Sequence, residues 1–214
     1  MALTARVLNQ LANSPTADIA RAEELAGRAL AASPRSSLAH FAKGLVLRAQ
    51  RRNEDAILEY EMAVAVNLNL PSAYAELGLC KFYTGSIEEM IPLVEQAIRL
   101  SPRDRQNVNW YNRIGIVHLL QSRIDEAILW FEKSRNANLG LPHVRACLAS
   151  AYALRGDTEH AAGELAEARR LSVDDRYSSI ARLKALGYFG VPKVRALYET
   201  TYFAGLRKAG MPEE

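Results

Sequence analysis

The sequence predicts an all-α protein, an α-solenoid of about six antiparallel helix pairs. Three observations point there. Strand signals are lacking, because β-branched alternation never persists and no Asn-Gly or Asp-Gly turn occurs. Apolar residues recur at three- and four-residue intervals, as in Ala56, Ile57, Tyr60, Ala63 and Val64, and again in Ala127, Ile128 and Phe131. Finally, Gly44, Gly78, Gly115 and Ala149 stand 34, 37 and 34 residues apart, and each is followed twelve residues later by a second landmark, Ala56, Met90, Ala127 and Ala161. Four residues further come Tyr60, Val94, Phe131 and Leu165, and three beyond those Ala63, Ala97, Ser134 and Ala168. A small, large, small pattern on one helical face lets two antiparallel helices nest, with the large residue expected to fill the space toward the next pair.

The elements follow in order. A degenerate first unit is expected as a helix over Leu3–Ala12, a turn over Asn13–Asp18 and a helix through Ala22, Ala26 and Ala29 to Ala32. Units two to five carry the four landmark sets. Gly85 and Gly156 fall where a first helix must end and can take positive φ there, while Ser86 with Glu89 reads as a capping box for the next helix. Beyond Asp174 the register is lost, yet Ser178–Leu186 and Val194–Lys208 still read as helices divided by Gly187, Gly190 and Pro192. The last of these carries Leu197, Tyr198, Thr201, Tyr202 and Leu206 as one apolar stripe, which must close the end of the repeat array or fold back toward its groove. This divides the chain into a repeat region, 1–174, and capping helices, 175–214.

Composition excludes several classes of function. With 49% hydrophobic and 24% charged residues over 214 positions, the chain can bury a core unaided. Cys80 and Cys147 are too few for a disulfide scaffold and lack zinc spacing, so no metal is expected. The net charge of +3 is spread with mixed signs, which argues against a nucleic-acid surface. No run of about 18 apolar residues suits a membrane span, and the N-terminal residues resemble neither a signal peptide nor a lipidation site, so a soluble cytoplasmic chain is expected.

Catalytic motifs are equally lacking. There is no phosphate loop, no Gly-x-Gly-x-x-Gly, no Gly-x-Ser-x-Gly and no His-Glu-x-x-His. His40, His118, His143 and His160 are scattered and read as surface or packing residues, and Cys80 and Cys147 as small buried hydrophobes. Glu88-Glu89 and Asp174-Asp175 read as helix starts favoured by the macrodipole, and Arg51-Arg52 and Arg169-Arg170 as solvated helix ends. No catalytic residue and no cofactor are expected.

The landmark pattern resembles the tetratricopeptide repeat family, whose 34-residue helix-turn-helix unit often closes on a proline, as Pro34 and Pro102 do here. The resemblance covers residues 3–173, with Met90 and Val94 replacing the usual alanine and aromatic, Leu68, Leu139 and Val173 replacing proline, and three extra residues near Asp104–Asn109. It implies that the first helix of each pair lines a concave groove. Carried onto this chain, the groove positions are Leu38, Phe41, Leu45 and Arg48, then Ala75, Leu79, Phe82 and Tyr83. The fourth unit adds Asn109, Asn112, Arg113, Ile116 and Leu119, and the fifth His143, Ala146 and Ser150. The family's two-carboxylate clamp for chaperone C-termini needs Lys, Asn and Arg in successive repeats, and only Asn112 and Arg113 qualify. A mostly apolar lining suits an amphipathic helix, from a partner or from this chain itself. The alternative is that these residues simply pack between neighbouring first helices.

Further segments, Arg176–Ala181, Gly187–Pro192 and Tyr202–Glu214 with Leu3–Leu8 and Leu100–Arg103, resemble the C-terminal tetratricopeptide region of alphaproteobacterial class III adenylate and guanylate cyclase-like proteins. That resemblance implies a regulatory or interaction module of a larger signalling protein, with any cyclase domain outside this chain. A free-standing adaptor is the alternative. Either way the expected partner is a protein or peptide, with self-association open and neither nucleic acid nor membrane involved.

Overall fold

The computed structural model describes residues 15–214, and all regular structure among them is helical. The helix expected over Leu3–Ala12 lies outside the described residues. The first described helix, α1 (Pro15–Ala32), begins early enough to hold Asp18 in its first turn, so the turn expected up to Asp18 ends sooner. Two compact units divide the chain, Met1–Ser101 and Pro102–Glu214, so residues 174 and 175 both lie within the second.

In unit 1, α1 packs on α2 (Ser37–Ala49), which forms a hairpin with α3 (Asn53–Val66). A second hairpin joins α4 (Pro71–Thr84) to α5 (Met90–Leu100), the latter entered through a 3₁₀ turn, Ile87–Glu89. Ser36 opens α2 by accepting the Ala39 N–H, which satisfies one of the donors a helix start leaves without a partner. The core gathers Phe41, Leu45, Leu47, Ala56, Tyr60, Ala63, Ala73, Leu77 and Cys80.

Unit 2 repeats the plan with α6 (Asn107–Leu120) against α7 (Ile124–Ala137) and α8 (Pro142–Arg155) against α9 (Thr158–Leu171). The three extra residues form the turn ahead of α6: Asp104 Oδ1 accepts the Gln106 N–H at 2.8 Å, and Asn107 Nδ2 donates to the Pro102 carbonyl at 2.9 Å. Ser134 serves as a small landmark because its buried hydroxyl donates to the Val108 carbonyl at 2.6 Å. After α9 a loop leads to α10 (Ile180–Leu186) and then to α11 (Pro192–Tyr198), a π-helical turn over Glu199–Phe203 and α12 (Ala204–Lys208).

The landmarks meet within a pair. A Cβ on Gly44 would lie 2.5 Å from the Tyr60 ring, and one on Gly115 2.5 Å from the Phe131 ring. The large residue of the second helix therefore sits over the glycine of its own first helix, rather than filling the space toward the next pair. Where Val94 replaces the aromatic, the Gly78 position meets Leu93 Cβ at 3.2 Å and the Met90 carbonyl at 3.3 Å instead.

Each first helix ends on a left-handed residue seven positions after its landmark: Arg51 at φ 61°, Gly85 at 106°, Ser122 at 58° and Gly156 at 95°. The next amide in each case reaches back five residues, Arg52 to Leu47, Ser86 to Lys81, Arg123 to His118 and Asp157 to Tyr152, each at 2.9 Å. These are four Schellman ends. The capping box does not form. Ser86 makes no side-chain cap, and Glu89 is drawn instead to Lys81 in the last turn of α4, at 2.9 Å. Nor do Asp174 and Asp175 start a helix, because α10 begins only at Ile180 with Ser179 as its cap. Asp174 instead pairs with Arg176 at 2.7 Å, which holds its carboxyl down to about 2.

The left-handed register makes a direct prediction. Ser122→Gly and Arg51→Gly should each raise the urea unfolding free energy by about 0.5–1 kcal/mol, since only glycine takes this φ without a Cβ penalty. Gly156→Ala should lower it by about 1 kcal/mol.

Candidate functional site

Few of the predicted groove positions are open. On α2, Phe41 and Leu45 belong to the unit 1 core, and Leu38 alone of the large apolar positions stands out, 56% exposed. On α4, Phe82 is buried edge-on against Tyr83, while Leu79 and Tyr83 are half-buried. Between the two helices Arg48 Nε lies 2.8 Å from Glu76 Oε2, both side chains largely out of water. Burial works most strongly against the Arg48 charge, but Glu76 together with Tyr60, Cys80 and Tyr83 outweighs it, so the guanidinium pKa is raised. Burial and then Glu76 push the neighbouring Tyr60 phenol well above its ordinary value. Glu76 was not among the predicted lining residues. The signal available was its place one residue after Ala75, on the side of α4 that turns toward α2.

In unit 2 the inner positions are covered. The C-terminal helical run lies against α8 and, through its π turn, against α6. This buries Ala146 and Ser150, and Ile116 and Leu119 are buried on α6. Ser150 Oγ donates to the Tyr202 carbonyl at 2.9 Å, and a Cβ on Gly205 would fall 2.2 Å from that same oxygen. The tail thus folds back onto the first helices, one of the two placements its apolar stripe allowed, and Tyr198, Thr201, Tyr202 and Leu206 are all buried. Phe189 stacks edge-on against Tyr198 and Phe203, with ring centroids 4.9 and 5.1 Å away. The last residues return to α10, where the Ile180 and Ala181 amides donate to the Pro212 and Glu213 carbonyls, each at 2.9 Å.

Asn109, Asn112 and Arg113 are half-buried on α6, and Asn109 Nδ2 donates to Gln106 Oε1 at 3.0 Å. His143 sits half-buried at the start of α8, where burial and the nearby Arg176 push its pKa down to about 4. The other histidines are tied elsewhere or enclosed: His40 lies 2.7 Å from Glu59, His160 2.9 Å from Asp157, and His118 is buried. Both thiols are buried, and burial raises the Cys147 pKa. Arg52 and Arg170 pair with Asp55 and Glu167 at 2.6 and 2.7 Å. A cleft of about 370 Å³ between α9 and the following loop is lined by Arg169, Asp174, Asp175, Tyr177 and Ser178. Its Arg169 is already committed to the Tyr177 carbonyl. No group of three metal-ligating side chains occurs among the described residues, and no helix there is long and apolar enough to cross a membrane.

Comparison with known proteins places this architecture. Residues 16–67 and 71–104 match the tetratricopeptide repeat family. The solved structure of pilF from Pseudomonas aeruginosa superposes with a TM-score of 0.70 at 19% identity, over 98% of this chain and 90% of that one. A crystal structure of MamA gives 0.63 at 21% identity, over 73% of this chain and 90% of the other. YrrB, described as a TPR protein with an unusual peptide-binding site, gives 0.57 at 18% identity, over 79% and 84%. No curated protein sequence matches the chain. The chain thus contains tetratricopeptide repeats and has the fold of a tetratricopeptide protein, built of stacked helix pairs.

The His143 environment gives stability a pH dependence of defined sign. The unfolded chain binds this proton near pH 6.5 and the folded chain only near 4, so stability falls as pH drops between those values. His143→Gln should flatten the decline of Tm over that window and leave the carboxylate-driven loss at lower pH in place.

Proposed function

We propose that the chain is a helix- or peptide-binding interaction module whose available surface is the inner face of unit 1. There Leu79 and Tyr83 lie on the helix that carries Glu76 of the Arg48–Glu76 pair, and Leu38 stands exposed at the start of α2. One observation carries the reading: the corresponding face of unit 2 is filled by an amphipathic helix, so first helices of this sequence accept that kind of occupant. One exposed and two half-buried apolar side chains, with the Arg48–Glu76 charges compensating each other, favour an apolar helix stripe over an acidic terminus. We further propose that the module serves a larger signalling protein such as a class III nucleotide cyclase. The support for that association is the resemblance of the Arg176–Ala181, Gly187–Pro192 and Tyr202–Glu214 segments.

A photo-reactive phenylalanine analogue placed at Leu38 or Leu79 should crosslink the partner, and one at Leu129, exposed on α7, should not. Leu79→Asp should abolish capture without altering the helical spectrum. Capture should persist in 0.5 M salt, as expected when affinity comes from about 25 cal/mol per Å² of buried apolar area rather than from screened charge. Loss of capture between low and moderate salt would contradict the apolar reading.

The chain is also expected to turn over no nucleotide by itself. Class III cyclisation needs two divalent metals on fixed carboxylates, and this chain offers Asp and Glu spread over helix surfaces and paired with Arg or Lys. Incubation with ATP or GTP and Mg²⁺ or Mn²⁺ should give no cyclic nucleotide above a blank; product that co-purifies with the chain would overturn this.

A further inference from the structure

We propose that the exposed face of α3 is a docking surface in its own right, and that its partner is a protein helix whose apolar stripe is flanked by lysine or arginine. The proposal stands apart from the inner-face reading, because it concerns the second helix of a pair and not the first.

An apolar stripe lies open there. Leu58, Met62 and Val66 follow one another at four-residue intervals, so they share one side of α3, and they are 62, 49 and 42% exposed. Exposed Ala65 lies among them. The later second helices do not keep this stripe. Six residues after the landmark, where α3 has Met62, they carry Gln96, Lys133 and Glu167. At the Leu58 position they carry Pro92, Leu129 and Gly163. Exposed apolar side chains that recur at helical spacing, unlike single scattered ones, form a surface that gains by being covered.

The charge around the stripe selects the partner. Residues 53–100 hold eight acidic residues against two basic ones, Lys81 and Arg99, although the whole chain carries +3. On α3 itself Glu54, Asp55, Glu59 and Glu61 stand without any lysine or arginine. Asp55 and Glu59 are matched by Arg52 and His40, at 2.6 and 2.7 Å. Glu54 and Glu61, seven residues apart, share the flank of the stripe that turns toward α4, where Lys81 lies 3.5 Å from Glu61 and 2.9 Å from Glu89. One cation there serves two carboxylates. Glu54 and Glu88, both exposed, have no ion-pair partner among the described residues. A second copy laid α3 against α3 would bring these carboxylates together, which disfavours it. A basic amphipathic helix meets both needs: its apolar side chains cover Leu58, Val66 and the adaptable Met62, and its flanking cations meet Glu54 and Glu61.

The test uses the full chain and two fluorescent peptides of about 18 residues, long enough to form a helix on a surface. One is built of leucine and lysine, the other of leucine and glutamate, on the same amphipathic pattern. The lysine peptide should bind by fluorescence anisotropy and the glutamate peptide should not. Leu58→Gln with Met62→Gln should weaken binding by about tenfold, the scale of one leucine-sized side chain left unburied, with the helical spectrum unchanged. Should that pair disturb folding, Met62→Gln alone gives the same reading. Glu54→Gln with Glu61→Gln should weaken binding less and flatten its dependence on salt. Leu79→Asp, on the inner face, should leave it intact, so failure here and failure of the inner-face reading are told apart. Absence of binding overturns the proposal, as does equal binding of the two peptides or binding that ignores the Leu58 and Met62 replacements. Light scattering that shows wild-type chains pairing, with the pairing lost in Met62→Gln, assigns the face to a second copy and also overturns it.

Discussion

The architecture depends on how closely the two helices of a pair approach. The Tyr60 ring sits against Gly44 and the Phe131 ring against Gly115, at separations that leave no room for a methyl group. A ring placed there buries a large apolar area for one residue, and a glycine opposite is what admits it. These two hairpins thereby close on themselves, and the left-handed residue that ends each of the four landmark first helices reverses the chain in a short turn. The remaining apolar stripes then have no partner within the hairpin. They must be covered by a neighbouring pair, as α3 is by α4 and α7 by α8, or by some other segment.

That logic explains why so much of the fold could be read from the sequence. Landmark spacing reports the pair geometry, because a small residue of the first helix and a large one of the second meet at fixed separations, as Gly44 with Tyr60 and Gly115 with Phe131 do. The positive-φ register was half legible: Gly85 and Gly156 announce it, whereas Arg51 and Ser122 adopt it at a cost that neither residue type advertises. The capping box at Ser86 failed because a local motif competes with a longer-range charge, and Lys81 captured Glu89.

The candidate site was less legible, for a different reason. Register tells which face of a first helix a residue occupies, and it groups Leu38, Leu79 and Tyr83 with Phe41 and Leu45 as expected lining positions. It does not tell what covers that face. Phe41 and Leu45 share the register of Leu38 but belong to the core, and Ser150 turned out to be the contact point of a segment 52 residues away. Glu76 escaped attention because its position is defined by Arg48 on a different helix, not by its own surroundings in sequence. Gly205 makes the same kind of close approach as Gly44 and Gly115, but it lies beyond the repeat register, so no landmark spacing marks it.

The π turn has a consequence for how this chain tolerates change. One residue added to or removed from an α-helix rotates everything beyond it by about 100°. The turn over Glu199–Phe203 holds one residue more than an α-helical turn, and that extra residue is what brings Gly205 round to face Ser150 while Val194 and Tyr198 still point inward. Substitutions on the outer side of this segment leave that phase untouched. A single deletion within it swings the glycine away and offers α8 a side chain instead, so here length is constrained more tightly than composition.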